Sequence, residues 1–158
     1  VIAVARGPEK GAAARAAGAH HVIDPTRTDL RDAVLALGGA DVVYDPVGGP
    51  LFVQAFRACR PEARILTIGF ASGEVPQIKA NHLLVKNLTV MGLYWGGYLG
   101  FSPEVLTGSL ETLMAWQADG RISPHASQVL PLARVEEGFE ALRNRQATGK
   151  IVIDIADP

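Results

Sequence analysis

The feature that most constrains this chain is a recurrence of short, β-rich apolar runs at regular spacing. They are "VIAVA" at 1–5, "HVI" at 21–23, "DVVYD" at 41–45, "RILTIG" at 64–69 and "LTVMGL" at 88–93. Helical patterns with recognisable ends lie among them. "GPEKGAAARAAG" puts Pro8 at a first helical position, where the missing N–H costs nothing, and Gly18 at the stop. "TDLRDAVLALGG" opens on a Thr28-Asp29 cap and closes on Gly38-Gly39. "GPLFVQAFRAC" again opens with a proline, and Phe52, Ala55, Phe56 and Cys59 share one helical face. Strands of about five residues alternating with helices imply right-handed crossovers and a parallel sheet covered on both faces. The fold class read from this pattern is α/β, a doubly wound parallel sheet.

The pattern changes after residue 100. "SPEVLTGSLETLMAWQADG" carries Ser102 as N-cap, Pro103 and Glu104 in the first turn, and Gly120 as the stop. Its apolar stripe, Leu106, Leu110, Leu113 and Met114, is expected to be core. A strand, "ASQVLPL", a helix, "RVEEGFEALRNRQ", and a final strand, "GKIVIDI", complete the chain. Two strands and one helix are too little for an independent core, so this tail is expected to pack on a domain outside the chain. The organisation expected is a first domain over 1–100 and a helix–strand–helix–strand segment over 101–158.

Composition removes several function classes. A formal net charge of −1 lacks the excess of Lys and Arg that phosphate backbones require, so no nucleic-acid partner is expected. No apolar run approaches the roughly 20 residues of a membrane span, and no signal peptide is visible. The one cysteine, Cys59, cannot form an internal disulfide, and a reducing cytosol is the expected compartment. Position 1 is valine, not methionine, as expected of a truncated chain.

In open α/β sheets, ligands bind beyond the carboxyl ends of the strands. Arg6 follows the first run, and Lys10 lies one turn inside the next helix. A site for NAD commonly places a carboxylate at that strand end; a guanidinium there suits the extra 2′-phosphate of NADP. A solvated basic residue at a helix start explains the same two residues. "DPVGG" follows the third run, "GFASG" the fourth and "YWGGYLG" the fifth, with Phe70, Tyr94 and Trp95 placed to wall a flat ring. Glycine-rich turns are also how such sheets reverse, although three at one sheet edge favour a ligand. The chain contains no G-x-G-x-x-G, no P-loop and no G-x-S-x-G elbow. Its histidines, His20, His21, His82 and His125, have no partners at metal-ligand spacing. Chemistry here would be carried by a bound cofactor, with the protein supplying position and shape.

The runs "GADVVYDPVGG", "RILTIGFASGEVPQIKANHLLVKNLTVMGLYWGGY" and "RQATGKIVI" resemble the quinone oxidoreductase branch of the medium-chain dehydrogenase/reductases. "AGAHHVIDP" is similar to that family's "LGADxVIDY". The resemblance covers essentially the whole chain and corresponds to the latter half of the family's protein. It implies a Rossmann-type sheet whose first strand and glycine-rich turn lie upstream of Val1, with a C-terminal piece of the catalytic domain. The implied activity is a zinc-free, NADPH-dependent transfer of hydride from the nicotinamide to a quinone or other conjugated carbonyl or alkene. An enoyl reductase and a non-catalytic NADPH-binding protein are the alternatives, and the chain by itself is not expected to turn over. Carried onto these positions, Arg6 and Lys10 would hold the 2′-phosphate. Val47, Gly69, Phe70, Leu93, Tyr94 and Trp95 would line the nicotinamide side. Arg145 would reach back to the cofactor, and Lys150 is a weaker candidate. Pro25 departs from the tyrosine that many relatives place near the adenosine. The resemblance further implies a homodimer through the edge strand at 88–93.

Overall fold

The structure is a computed structural model that describes residues 1–156. The chain divides into two compact units, the first Val1–Gly97 and the second from Tyr98 onward.

The first unit alternates strands and helices: β1 (Ile2–Val4), α1 (Pro8–Ala16), β2 (His21–Ile23), α2 (Leu30–Ala36), β3 (Ala40–Asp45), α3 (Gly49–Ala58), β4 (Cys59–Thr67), α4 (Ala80–Lys86) and β5 (Thr89–Gly92). Every ladder is parallel. β1 pairs with β2, and β3, β4 and β5 form a second ladder in that order. The α/β reading with parallel sheets therefore holds.

Local chemistry explains the helix ends. Pro8 opens α1, and Gly18 stands just past its end at a φ of +97°. Asp29 caps α2 by accepting the Asp32 N–H at 2.9 Å. Gly38 and Gly39, both at positive φ, release the chain into β3. The helix α4 is absent from the sequence reading. It has seven residues, no side-chain cap and no buried side chain, so it writes little periodicity into the sequence. Asn87 ends it in the left-handed conformation. Its last residue, Lys86, donates through Nζ to the carbonyls of Cys59, at 2.7 Å, and Arg57, at 3.1 Å. A cation is thereby placed on the carbonyl end of α3.

The expected fourth run starts at Arg64, whereas β4 begins at Cys59. Its register against β3 shifts between Ala40↔Cys59 and Val42↔Arg64. Pro61 has no N–H to offer a ladder and Glu62 stands at a φ of +64°. These residues bulge out of register, which alternation in the sequence cannot show.

Two apolar clusters flank α3. Phe52, Phe56, Cys59, Ala63, Ile65 and Leu88 form one. Ile23, Leu30, Val34 and Ala58 form the other, with Ile2, Ala40, Leu51 and Ala55 packed against it. The expected stripe on α3 is thus split, with Ala55 on the opposite cluster from Phe52 and Phe56. Ile65 is fully buried, a contribution of about 1.5–3 kcal/mol for a side chain of that size.

The second unit contains α5 (Tyr98–Phe101), α6 (Pro103–Ala118), β6 (Ala126–Pro131), α7 (Val135–Arg143) and β7 (Lys150–Asp154). β6 and β7 pair in parallel. Gly138 lets α7 lie close on them, since a Cβ there would stand 3.2 Å from Ile151 Cγ2 and 3.5 Å from Leu130 Cδ1. Ser102 precedes α6 as expected, but its Oγ donates to the Glu104 carboxylate and accepts no helix N–H. The core expectation for α6 fails. None of its residues is buried, and Met114 is 65% exposed. An apolar stripe marks a face, and within this unit only the short α5 packs on α6 to any extent.

Candidate cofactor site

The first unit brings three strand ends level. Asp45 pairs with Thr67, and Thr67 with Gly92, so β3, β4 and β5 finish side by side. The three glycine-bearing loops therefore leave the sheet at one edge, as the spacing predicted.

The first two loops are stitched together. Ala71 N–H donates to Pro46 O at 3.1 Å, Ser72 N–H to Val47 O at 2.9 Å, and Gly49 N–H to Glu74 O at 3.0 Å. Gly48, at a φ of +71°, lies directly beneath the second loop. A Cβ on it would come within 2.8 Å of Glu74 O and 2.9 Å of Phe70 Cδ1. Val47, Gly69 and Phe70 are thus gathered in one place. Leu93 joins the same edge through its N–H, which donates to Thr67 O at 3.0 Å. Tyr94 and Trp95 follow it into a short 3₁₀ turn over Trp95–Gly97, with Tyr94 81% exposed.

Arg6 and Lys10 stand at the carboxyl end of β1 and in the first turn of α1; Arg6 is exposed and Lys10 half-buried. Between them Gly7 has a φ of +79° with nothing within 4 Å of a would-be Cβ, so the backbone there is approachable. The cleft beside this turn, about 380 Å³, is lined by Gly7, Asp24, Arg15 and Arg27 among others, while Arg6 and Lys10 lie outside its lining. Arg145 and Lys150 belong to the second unit. Arg145 follows α7 with a left-handed φ of +57°, and Lys150 opens β7, its N–H donating to His125 O at 2.9 Å. Pro25 follows β2 and is half-buried.

Two residues that sequence reasoning passed over hold these turns. Asp24 accepts the Gly7 N–H at 2.9 Å, and also the N–H and hydroxyl of Thr26 at 2.9 and 2.6 Å. Those bonds, the Thr26 hydroxyl foremost, hold its carboxyl below the usual carboxylate value. Asp45 is buried and accepts the N–H groups of Val47 and Gly48. The signal was legible in both cases as an aspartate at a strand end directly before a turn.

The zinc-binding dehydrogenase family profile matches residues 1–115. The chain belongs to that family. The quinone oxidoreductase-like protein 2 of Bos taurus is 39% identical over 158 residues, 98% of this chain and 45% of the relative. The 2-haloacrylate reductase of a Burkholderia species is 28% identical over 97% of the chain and 47% of the relative. The Escherichia coli quinone oxidoreductase solved in complex with NADPH superposes with a TM-score of 0.81 at 25% identity, over 96% of this chain and 48% of that one. The chain thus spans about half the length of the relatives it matches.

The family's name points to zinc. Among the described residues no group of three or more His, Cys, Asp or Glu converges to hold a metal ion. The single cysteine, Cys59, is 2% exposed and its thiol donates to Ala55 O at 3.4 Å. The described residues do not fit a zinc site. No described helix is long and apolar enough to cross a membrane.

Proposed function

We propose that this chain is the cofactor-binding portion of an NADPH-dependent oxidoreductase that reduces a quinone or another conjugated carbonyl or alkene without zinc. The observation that carries the reading is the level edge of β3, β4 and β5, where Val47, Gly69 and Phe70 are stitched into one wall beside Leu93. Bound NADPH would supply the hydride. The residues present suit that group. Arg6 and Lys10 would provide two cations for a 2′-phosphate. Val47, Gly69, Phe70, Leu93, Tyr94 and Trp95 would position the nicotinamide and keep water from it. Residues 1–100 would bind the dinucleotide, and 101–158 would belong with a catalytic domain. The open edge of β5, with Met91 43% exposed, would pair antiparallel with its copy in a homodimer, covering backbone groups that otherwise invite association.

Within that range, the similarity to 2-haloacrylate reductase favours an activated alkene over a quinone as the acceptor. One assay separates the two. NADPH oxidation is followed with a quinone and with an α,β-unsaturated ketone, side by side, on a protein of the relatives' full length carrying this chain. Turnover with the quinone supports a quinone acceptor, and turnover with the enone alone supports a conjugated carbonyl or alkene. Turnover with neither overturns both.

A further inference from the structure

We infer that the cleft framed by α2, α3 and α4 binds a small aromatic carboxylate. It encloses about 580 Å³, within the range of small-molecule pockets. Phe56 and Leu88 line it and belong to the buried cluster that holds Ile65, so this wall is fixed by the core. The His82 ring stacks on Phe56, with centroids 6.1 Å apart and 25° between the planes, and extends the wall with a second flat ring. Arg57 comes shortly before β4 and Leu88 directly before β5, so the cleft lies at the amino ends of these strands. The loops that carry Val47, Gly69 and Leu93 leave from the carboxyl ends, and the length of β4 separates the two places.

The charges select the occupant. Arg31, Arg57 and Lys86 line the cleft together with Asp29 and Asp32. Both carboxylates are engaged at the α2 end: Asp32 accepts from Arg31 Nη1 at 2.7 Å, and Asp29 accepts the Asp32 N–H at 2.9 Å. Arg57 and Lys86, by contrast, form no ion pair among the described residues. The two are neighbours, since Lys86 Nζ donates to the carbonyl of Arg57 itself at 3.1 Å. That bond and the one to Cys59 O hold the ammonium in place and leave its third N–H for a ligand. A cation positioned in advance loses little rotamer freedom on binding. Inorganic phosphate would meet the cations but leave the wall of Phe56 and Leu88 in water. A neutral ring would cover that wall but leave both cations without a counter-charge. A ring bearing one carboxylate does both: it lies on Phe56, Leu88 and His82, and its anionic end takes the Arg57 fork and the Lys86 ammonium.

The test titrates a protein of the relatives' full length carrying this chain with naphthalene-2-carboxylate and with its uncharged amide. The carboxylate should bind saturably and about tenfold more tightly than the amide, or better. Hydrogen exchange should slow at the amides of 82–88 and stay unchanged at 69–72. Arg57→Gln alters an exposed side chain that makes no ion pair, so the fold should hold. It should weaken the carboxylate about tenfold and leave the amide unchanged. No saturable binding, equal affinity for carboxylate and amide, no loss in Arg57→Gln, or protection at 69–72 instead of 82–88 would each overturn the inference. It stands apart from the cofactor chemistry, so its failure leaves the NADPH reading untouched.

Discussion

The Asp45 carboxylate accepts the Gly48 N–H through both its oxygens, at 3.0 Å to Oδ2 and 3.2 Å to Oδ1. Oδ1 also accepts the Val47 N–H at 3.0 Å. One buried side chain therefore ties the end of β3 to the turn that opens α3. Asp45→Ala would leave buried donors without partners and should lower stability by about 1–3 kcal/mol in urea denaturation. Asp45→Asn keeps one carbonyl acceptor and should cost less. Equal losses would mean that packing, not these bonds, sets the value.

Gly48 and Gly73 make a matched pair. Both have positive φ, +71° and +83°, but a Cβ on Gly48 meets Glu74 O at 2.8 Å whereas one on Gly73 meets nothing within 4 Å. Gly73→Ala should cost only the backbone strain, about 1 kcal/mol. Gly48→Ala should cost more, about 2–4 kcal/mol, because the 70–74 loop must also move. Thermal melts of the two variants side by side provide the comparison.

Asp24 gives a pH dependence with a defined sign. The Thr26 hydroxyl and then the Gly7 N–H hold its folded carboxyl below the ordinary value. In the window between the lowered and the ordinary value the unfolded chain binds more protons, so stability rises with pH there. The contribution is complete above the ordinary carboxylate value and lost as pH falls through the lowered one. Acid denaturation curves of Asp24→Asn should be flatter in that window than those of the parent chain.

Burial pushes the Cys59 thiol up, with Lys86 opposing the shift. The group should therefore be a neutral, inert thiol near neutrality. Alkylation by iodoacetamide should be about a hundredfold slower in the folded chain than in urea. Comparable rates in the two states would show that the site opens freely.

Arg6→Glu tests the proposed cofactor choice. It replaces a cation with an anion where a 2′-phosphate would lie, so NADPH affinity should fall about tenfold or more while NADH affinity changes little. Titrations followed by nicotinamide fluorescence distinguish the two. Equal losses would mean that Arg6 does not touch the 2′-phosphate.

The alternation of strands and helices in the first unit was legible because its signals are local. Pro8 and Asp29 start helices, Gly18 and Gly38-Gly39 stop them, and five apolar runs mark the strands. The same locality hid α4, which has no cap and buries nothing, and the early start of β4, where Pro61 and Glu62 bulge. It also misled on α6, since Leu110 and Met114 line up as a face without any element of their unit covering them. For the candidate site, sequence placed Val47, Gly69, Phe70 and Leu93 after strands.

By itself, then, the sequence determined which segments are strands and helices and which residues follow each strand, because caps, glycines and periodicity act over a few neighbours. Tertiary structure alone decided that Asp45, Thr67 and Gly92 end level, that Gly48 lies under Phe70 and Glu74, and that Asp24 accepts the N–H of Gly7, 17 residues before it. Those relations depend on strand register and on backbone bonds between residues far apart in the chain, and no local pattern encodes them.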